Sequence, residues 1–343
     1  MIKKKIKVLV VDDSLVFRET LASGISKDAG IEVVGTASDP FMARDKILEM
    51  EPDVLTLDVE MPKMNGIEFL KRLMPQYPIP VVVVSAVSDN VFDALNAGAV
   101  DFVTKPDIRL GRGIDALINE LVVKIKIAST AQLGHWKNNS AGSGVVKKMM
   151  GNTGDVIIAI GASTGGTEAI ASILKQFPRH MPGIVIVQHM PPVFTRMYAD
   201  RLNNSCLLEV KEAQTGDKVI PGTVLIAPGE YHMRLKKVGN IYSVECFRGE
   251  KVNGHCPSVD VLFESVAQKA GTAAIGVILT GMGYDGAKGL LSMRKKGAWT
   301  IGQDEKSCVV YGMPKVAYSI GAVQKQASLF SIPQLIYSML ERK

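Results

Sequence analysis

The chain repeats one pattern: a short apolar run rich in β-branched residues stops at a small or acidic residue, and a helix-like segment follows. Between residue 5 and about 126 this happens five times. The runs at 6–11, 31–36, 54–57, 81–84 and 101–103 read as strands, and the stretches near 15–26, 40–49, 66–74, 91–97 and 112–127 as helices. Such alternation folds into a parallel sheet covered by helices on both faces. In that architecture chemistry collects beyond the carboxyl ends of the strands.

Those ends carry the polar residues. Asp12 and Asp13 close the first strand, Asp58 the third and Ser85 the fourth, while Thr104-Lys105-Pro106 follows the fifth. A strand order of 2-1-3-4-5 would make the first and third neighbours and bring three carboxylates together. Clustered carboxylates repel unless a hard cation neutralises them, and Mg²⁺ with oxygen ligands meets that need. Lys105 and the Ser85 hydroxyl would then stand ready for an anion, with Asp58 as a phosphoryl acceptor. Any one of these aspartates alone would read as a helix cap or a solvated loop residue; four suitable strand ends together point to a site.

The segments Val10-Val11-Asp12-Asp13-Ser14, Leu57-Asp58-Val59-Glu60-Met61-Pro62-Lys63-Met64-Asn65-Gly66 and Val103-Thr104-Lys105-Pro106 resemble the signature segments of two-component receiver domains. The resemblance covers residues 1–127 and implies a flavodoxin-like (βα)₅ fold. It implies that a histidine kinase phosphorylates Asp58, and that Asp12, Asp13, Asp58 and the backbone carbonyl of Glu60 hold Mg²⁺. Ser85 and Lys105 would contact the phosphoryl group. Phe102 occupies the family's aromatic switch position, although a core strand residue explains it equally well.

From 128 to 152 the pattern fades into small and polar residues, as in a connector, with His135-Trp136 and Lys147-Lys148 as inclusions. The remainder, 153–343, reads as a second α/β domain. It opens with D-V-I-I-A-I-G-A-S-T-G-G at 155–166, in which 161–165 fits G-x-S-x-G. That pattern can expose a serine hydroxyl on a strand-to-helix turn, or simply supply a small-residue turn capping the next helix. The strand at 183–187 ends in Gln188-His189, one strand–helix–strand crossover later. Another at 274–279 ends in Thr280-Gly281-Met282-Gly283-Tyr284-Asp285. A serine, an imidazole and a carboxylate thus stand at three strand ends, the set that nucleophilic hydrolysis needs. Asp304, also beyond a strand, competes for the role of the acid. The chain order Ser, His, Asp differs from that of α/β-hydrolases, so G-x-S-x-G does not imply that fold.

Between these motifs, 223–227, 231–236 and 241–247 read as a β-hairpin or meander added to the sheet. Ser258 reads as the cap of a helix at 259–270, and Asp260 as a carboxylate favouring that helix's dipole. His232 and His255 have no partner that spacing reveals and read as structural or surface residues.

Composition narrows the function classes. The formal charge of +6 is scattered rather than clustered, and neither an aromatic-interleaved basic patch nor zinc-finger spacing is present, which argues against nucleic acid. The four cysteines, Cys206, Cys246, Cys256 and Cys308, form no C-x-x-C pair and read as reduced thiols; with His255 they lack the spacing of a metal site. The apolar run near the N-terminus stops at two aspartates, too soon for membrane insertion, so a cytoplasmic location is expected. A nucleotide-dependent oxidoreductase would need G-x-G-x-x-G or a P-loop, and a DNA-binding response regulator would need a helix-turn-helix; the second half offers none of these.

The segments Gly161-Ala162-Ser163-Thr164-Gly165-Gly166, Val187-Gln188-His189-Met190-Pro191, Pro257-Ser258-Val259-Asp260-Val261-Leu262-Phe263 and Leu279-Thr280-Gly281-Met282-Gly283-Tyr284-Asp285-Gly286 resemble the CheB family of chemotaxis protein-glutamate methylesterases. With the receiver, the similarity spans nearly the whole chain. It implies a doubly wound, mostly parallel sheet and selects Asp285 over Asp304. Ser163 is then nucleophile, His189 general base and acid, the Met282 backbone N–H an oxyanion donor, and Thr164 the residue beside the nucleophile. The implied reaction cleaves glutamate γ-methyl esters on the cytoplasmic domains of methylated chemoreceptors, releasing methanol, with deamidation of receptor glutamines as a related activity. This esterase chemistry calls for no cofactor. The implied phosphodonor is a chemotaxis histidine kinase, and the unphosphorylated receiver is expected to cover the Ser163 edge.

Overall fold

Valine and isoleucine runs with no polar face can bury both sides only inside a helix-covered sheet, and the strands made of such runs lie in two parallel sheets. The computed structural model describes residues 4–62, 64–86, 89–106, 113–133 and 156–341. The chain divides into two compact units, Met1–Ser140 and Ala141–Lys343. Most of the expected connector, including His135-Trp136 and Lys147-Lys148, lies outside the described residues, as does Arg112 at the expected start of the fifth helix.

The first unit runs β1 (Ile6–Val11), α1 (Leu15–Ile25), β2 (Ile31–Ala37), α2 (Pro40–Met50), β3 (Val54–Leu57), α3 (Gly66–Gln76), β4 (Val81–Ser85), α4 (Asn90–Asn96), β5 (Asp101–Thr104) and α5 (Ile114–Ala128). Its described strands form one parallel sheet in the order β2-β1-β3-β4-β5, as the strand-end argument requires. Val11 is in register with Leu57, so Asp12 and Asp58 leave adjacent strands side by side. Ser14, Asp39 and Asn65 each turn a side-chain oxygen to first-turn N–H groups of the helix that follows, the usual use of these residues at helix starts.

The second unit runs β6 (Ile157–Ala162), α6 (Gly166–Leu174), β7 (Gly183–Gln188), α7 (Phe194–Ser205), β8 (Glu209–Glu212), β9 (Thr223–Ile226), β10 (His232–Val238), β11 (Ile241–Phe247), α8 (Val259–Lys269), β12 (Ala274–Ile278), α9 (Ala287–Lys295), β13 (Trp299–Gln303), α10 (Met313–Ser319), β14 (Lys325–Ala327) and α11 (Ile332–Leu340). Among the described residues its main sheet is wholly parallel, in the order β14-β13-β12-β6-β7-β9-β8. The central strand β6 therefore has β12 on one side and β7 on the other.

Sequence pattern and structure part in three places. β9, read above as part of a meander, joins the main sheet between β7 and β8. The hairpin β10–β11 forms its own two-stranded sheet, tied to α8 by the Leu235 N–H donating to Ser265 Oγ at 2.8 Å. α7, β8 and β14 are absent from the sequence reading. α7 follows two prolines, yet it buries Phe194, Tyr198, Ala199 and Leu202 on one stripe, a helical spacing that was there to find. β8 and β14 are short edge strands of mostly charged and polar residues and carry no apolar run.

α8 packs directly on β6 at Gly161, where an added Cβ would lie 2.2 Å from Val259 Cγ1. Gly161→Ala is expected to lower stability by about 1–3 kcal/mol through overpacking. A fall in the urea midpoint at unchanged slope checks this; an unchanged midpoint would contradict the packing described.

Candidate active site

Strand register assembles the site in the second unit. Ala162 pairs with Gln188, and the His189 N–H donates to the Ala162 carbonyl at 3.1 Å. On the other flank the Leu279 N–H donates to Gly161 at 2.9 Å, and the Ser163 N–H to Thr280 at 3.0 Å. Ser163 and His189 thus leave neighbouring strands at one level, with the Thr280 loop beside them. The Ser163 carbonyl accepts from Gly166 N–H at 2.7 Å and from the Gln188 side-chain amide at 2.9 Å, which fixes the turn. Gly165 turns it with φ +76°, and a side chain there would lie 2.7 Å from Val309 Cβ. Thr164 is buried, its carbonyl accepting from Thr280 Oγ1 at 3.0 Å.

The turn carrying Met282 is equally constrained. Gly281 donates to the Val310 carbonyl at 3.0 Å and accepts from the N–H groups of Gly312 and Met313 at 3.1 and 2.8 Å. A Cβ on Gly281 would lie 2.6 Å from Ser163 Cβ, so this loop presses against the serine. Met282, the next residue, is exposed.

His189 Nε2 and Asp285 Oδ2 are 2.9 Å apart. The Asp285 carboxylate is fully buried, and burial would raise its pKa, but hydrogen bonds from His189, Asn253 and Ser258 hold it well below the usual carboxylate range. Its Oδ1 accepts from Asn253 Nδ2 and Ser258 Oγ, each at 2.8 Å, and from the Asp260 N–H at 3.2 Å. Oδ2 also accepts from the Val259 N–H at 2.7 Å. Val259 and Asp260 open α8, so the anion sits on a helix N-terminus, where N–H groups and dipole both favour it. An ionised carboxylate only accepts, so Nε2 carries the proton and Nδ1 is left with a lone pair. Nδ1 is buried and has no hydrogen-bond partner among the described residues.

One reading from sequence needs correction. Ser258 occupies the cap position of α8 but makes no side-chain cap; its hydroxyl turns to Asp285, which supplies the capping oxygen instead. Asp260 stands in the first turn of α8, as read, and its Oδ1 also accepts from the Gly289 N–H of α9 at 2.6 Å. Each aspartate therefore caps the helix that the other one borders. Asp304 caps a short turn through Ser307, and the carboxylate paired with His189 is that of Asp285.

Sequence reasoning missed Asn253 and the surroundings of His255, whose ring stacks on His189 with centroids 3.7 Å apart and planes 8° from parallel. A signal was available. Asn253-Gly254, both at positive φ, form a two-residue turn closed by paired bonds between Val252 and His255, the known preference of an Asn-Gly pair. His232 is structural as read, accepting from the Ser258 N–H at Nδ1 and bonded through Nε2 to the Glu250 carbonyl.

In the first unit Asp12, Asp13 and Asp58 lie with ligand oxygens within 4.8 Å of one another, the group of metal-donor side chains present among the described residues. The cysteines are all free, and Cys246, His255 and Cys256 form no such group. Burial pushes the Asp58 carboxyl up, against the opposing pull of Lys105. Lys105 Nζ bridges Asp12 and Asp58 at 2.8 and 2.7 Å. The Glu60 N–H donates to Asp58 Oδ1 at 3.1 Å, and Gly66 lets the following loop close over this strand end, since a Cβ would lie 2.3 Å from the Asp58 carbonyl. Ser85 Oγ is buried without a partner among the described residues. Phe102 is buried in β5, with the Lys124 ammonium 5.0 Å above its ring. Two buried carboxylates and an exposed third suit a hard divalent cation, and the fit to Mg²⁺ is in the donor set.

Comparison with known proteins decides the family. Residues 158–336 match the profile described as CheB methylesterase, and residues 8–112 match that of the response regulator receiver domain. The chain belongs to the CheB methylesterase family. A protein-glutamate methylesterase/protein-glutamine glutaminase 2 from Syntrophomonas wolfei is 65% identical over 313 residues, 91% of each chain. A protein-glutamate methylesterase/protein-glutamine glutaminase from Escherichia coli is 50% identical over 315 residues, 91% of this chain and 90% of that one. Among solved structures, the Thermotoga maritima CheB methylesterase catalytic domain aligns with a TM-score of 0.52 at 38% identity, covering 55% of this chain and 98% of that domain. The chain thus joins a receiver domain to a methylesterase domain, as expected from its motifs.

The low pKa of Asp285 makes a stability prediction. A carboxylate whose folded pKa is depressed stabilises the fold above its unfolded value of about 3.9, and that contribution disappears as pH falls toward the folded value. Asp285→Asn is therefore expected to lower the urea midpoint most near neutral pH, with the gap to wild type narrowing below about pH 4. A gap that does not vary with pH would contradict the account.

Proposed function

We propose that Ser163, His189 and Asp285 act as the catalytic triad of a protein-glutamate methylesterase whose output is raised by phosphorylation at Asp58. The observation that carries the reading is the His189–Asp285 pair at 2.9 Å, which leaves Nδ1 of His189 as a free base at the strand end adjoining Ser163. Ser163 Oγ attacks the γ-carbonyl carbon of a methylated receptor glutamate while its proton passes to Nδ1. The developing oxyanion accepts from the Met282 N–H, with Thr164 beside the nucleophile; one such donor is worth about 3 kcal/mol. The tetrahedral intermediate expels methanol as His189 returns the proton to the leaving oxygen. Water then attacks the acyl-serine, giving up a proton to His189, which passes it to Ser163 Oγ as the acyl–oxygen bond breaks; the released glutamate carboxyl ionises in water and the serine is free again. Asp285 stabilises the imidazolium in both steps and stays ionised. A glutamine side chain can follow the same path with ammonia leaving.

In the receiver, Asp58 takes the phosphoryl group from a histidine kinase, and Lys105 and Ser85 bind its oxygens. Asp12, Asp13, Asp58 and the Glu60 carbonyl would hold Mg²⁺, which supplies charge neutralisation when bound. Phosphorylation then raises esterase output as a population shift rather than as new chemistry. Phe102 is the proposed switch residue. The domains are proposed as 1–127, a linker at 128–152 and 153–343. The substrate places the reaction in the cytoplasm, and the described residues include no helix long and apolar enough to cross a membrane.

Ser163→Ala is expected to cut methanol release from methylated receptor by roughly 10⁴-fold or more while Asp58 still accepts phosphate from a small phosphodonor with Mg²⁺. Retained esterase activity would sink the triad assignment. Wild-type methanol release should rise with the phosphodonor; a rate indifferent to it would overturn the regulatory half alone.

A further inference from the structure

One hydrogen bond fixes an imidazole at a single atom and leaves the ring free to tilt about that point. For His189 the tilt matters, because Nε2 must stay on Asp285 while Nδ1 stays available to Ser163. We propose that His255 is a positioning residue of the esterase, its ring stacked on His189 to hold that imidazole in its working plane. The inference rests on the triad reading of the same site and adds a residue to it.

The stack is close to ideal for this purpose, with ring centroids 3.7 Å apart and an 8° angle between planes. His255 is itself anchored. Its backbone N–H and carbonyl are both paired with Val252 at 3.0 Å across the Asn253-Gly254 turn, whose φ values of 54° and 84° set a tight reversal. The turn's Asn253 amide reaches Asp285 at 2.8 Å and Asp260 at 2.7 Å. His232 fastens both ends of the same loop through Glu250 and Ser258. One loop thus fixes Asp285 through Asn253 and Ser258, and the facing ring of His189 through His255.

The stack also requires that the two rings not both be cations. Burial and the neighbouring His189 push the His255 pKa down to about 4, Lys251 acts in the same direction, and Asp285 opposes them. His255 is therefore neutral near pH 7. When His189 is protonated during turnover, the imidazolium faces the π-cloud of a neutral ring, a favourable contact.

The test compares the full-length wild type with His255→Ala, His255→Phe and Ser163→Ala, measuring kcat and KM for methanol release from methylated receptor with phosphodonor and Mg²⁺. Proton NMR follows the downfield His189 Nε2–H, and thermal melts follow folding. His255→Ala should lower kcat about 10- to 100-fold with KM within about twofold, and should weaken the downfield resonance. His255→Phe, which keeps a flat ring and cannot titrate, should restore kcat to within about fivefold of wild type and retain the resonance. A wild-type kcat in His255→Ala, a loss expressed only in KM, or a His255→Phe no better than His255→Ala would each overturn the proposal. Should His255→Ala not fold, the His255→Phe enzyme decides: kcat within fivefold supports the stack, and a larger loss refutes it. Activity surviving in Ser163→Ala would instead refute the triad reading beneath it.

Discussion

A buried charge organises the catalytic unit. Asp285 is removed from water, and an isolated carboxylate there would cost several kcal/mol or would take up a proton. It remains anionic because Val259 N–H, Asp260 N–H, Ser258 Oγ, Asn253 Nδ2 and His189 Nε2 all converge on its two oxygens. These donors come from β7's end, from the 250–258 loop and from the start of α8. The carboxylate therefore locks the end of β7 and the continuous 250–260 segment to the β12 loop that carries it. Its ionisation also dictates which nitrogen of His189 holds the proton, and so which one is left as a base. Stability and chemistry meet in the same oxygens.

The receiver solves a related problem in another way. There the carboxylates of Asp12 and Asp58 are buried at neighbouring strand ends without a helix N-terminus to serve both, and Lys105 bridges them. Burial still pushes the Asp58 carboxyl upward. Where Asp285 is saturated with fixed donors, the Asp58 cluster is under-neutralised, and Ser85 Oγ waits nearby without a partner. A saturated carboxylate suits a residue that orients and never reacts. An under-neutralised one suits a residue that takes a cation and accepts a phosphoryl group.

How much of this was legible in the residues follows from what kind of signal each feature leaves. β-branched runs separated by helical stretches disclosed both parallel sheets, because burial on two faces demands apolar residues throughout. The strand ends carrying Ser163, His189 and Asp285 were equally plain, since parallel order forces them to one edge. The orientation of Asp260 and Ser258 was not legible. Both sit where local rules place polar residues at the start of α8, and only the packing of α9 and the Asp285 loop against that helix brings the Gly289 N–H to one and the Asp285 carboxylate to the other. β8 and β14 leave almost no trace, being edge strands that need little apolar surface. His255 carried a signal that went unread: the Asn253-Gly254 turn fixes where the next side chain points, but nothing in spacing says which ring it will meet.

The central claim is that Ser163 is the nucleophile and His189 its base. Mapping the adduct of an organophosphorus serine reagent by mass spectrometry addresses it directly. The account predicts one stoichiometric adduct on Ser163, formed in step with loss of methylesterase activity and at least about 10³-fold more slowly in His189→Ala. An adduct on another residue, or esterase activity that survives complete modification of Ser163, would contradict it.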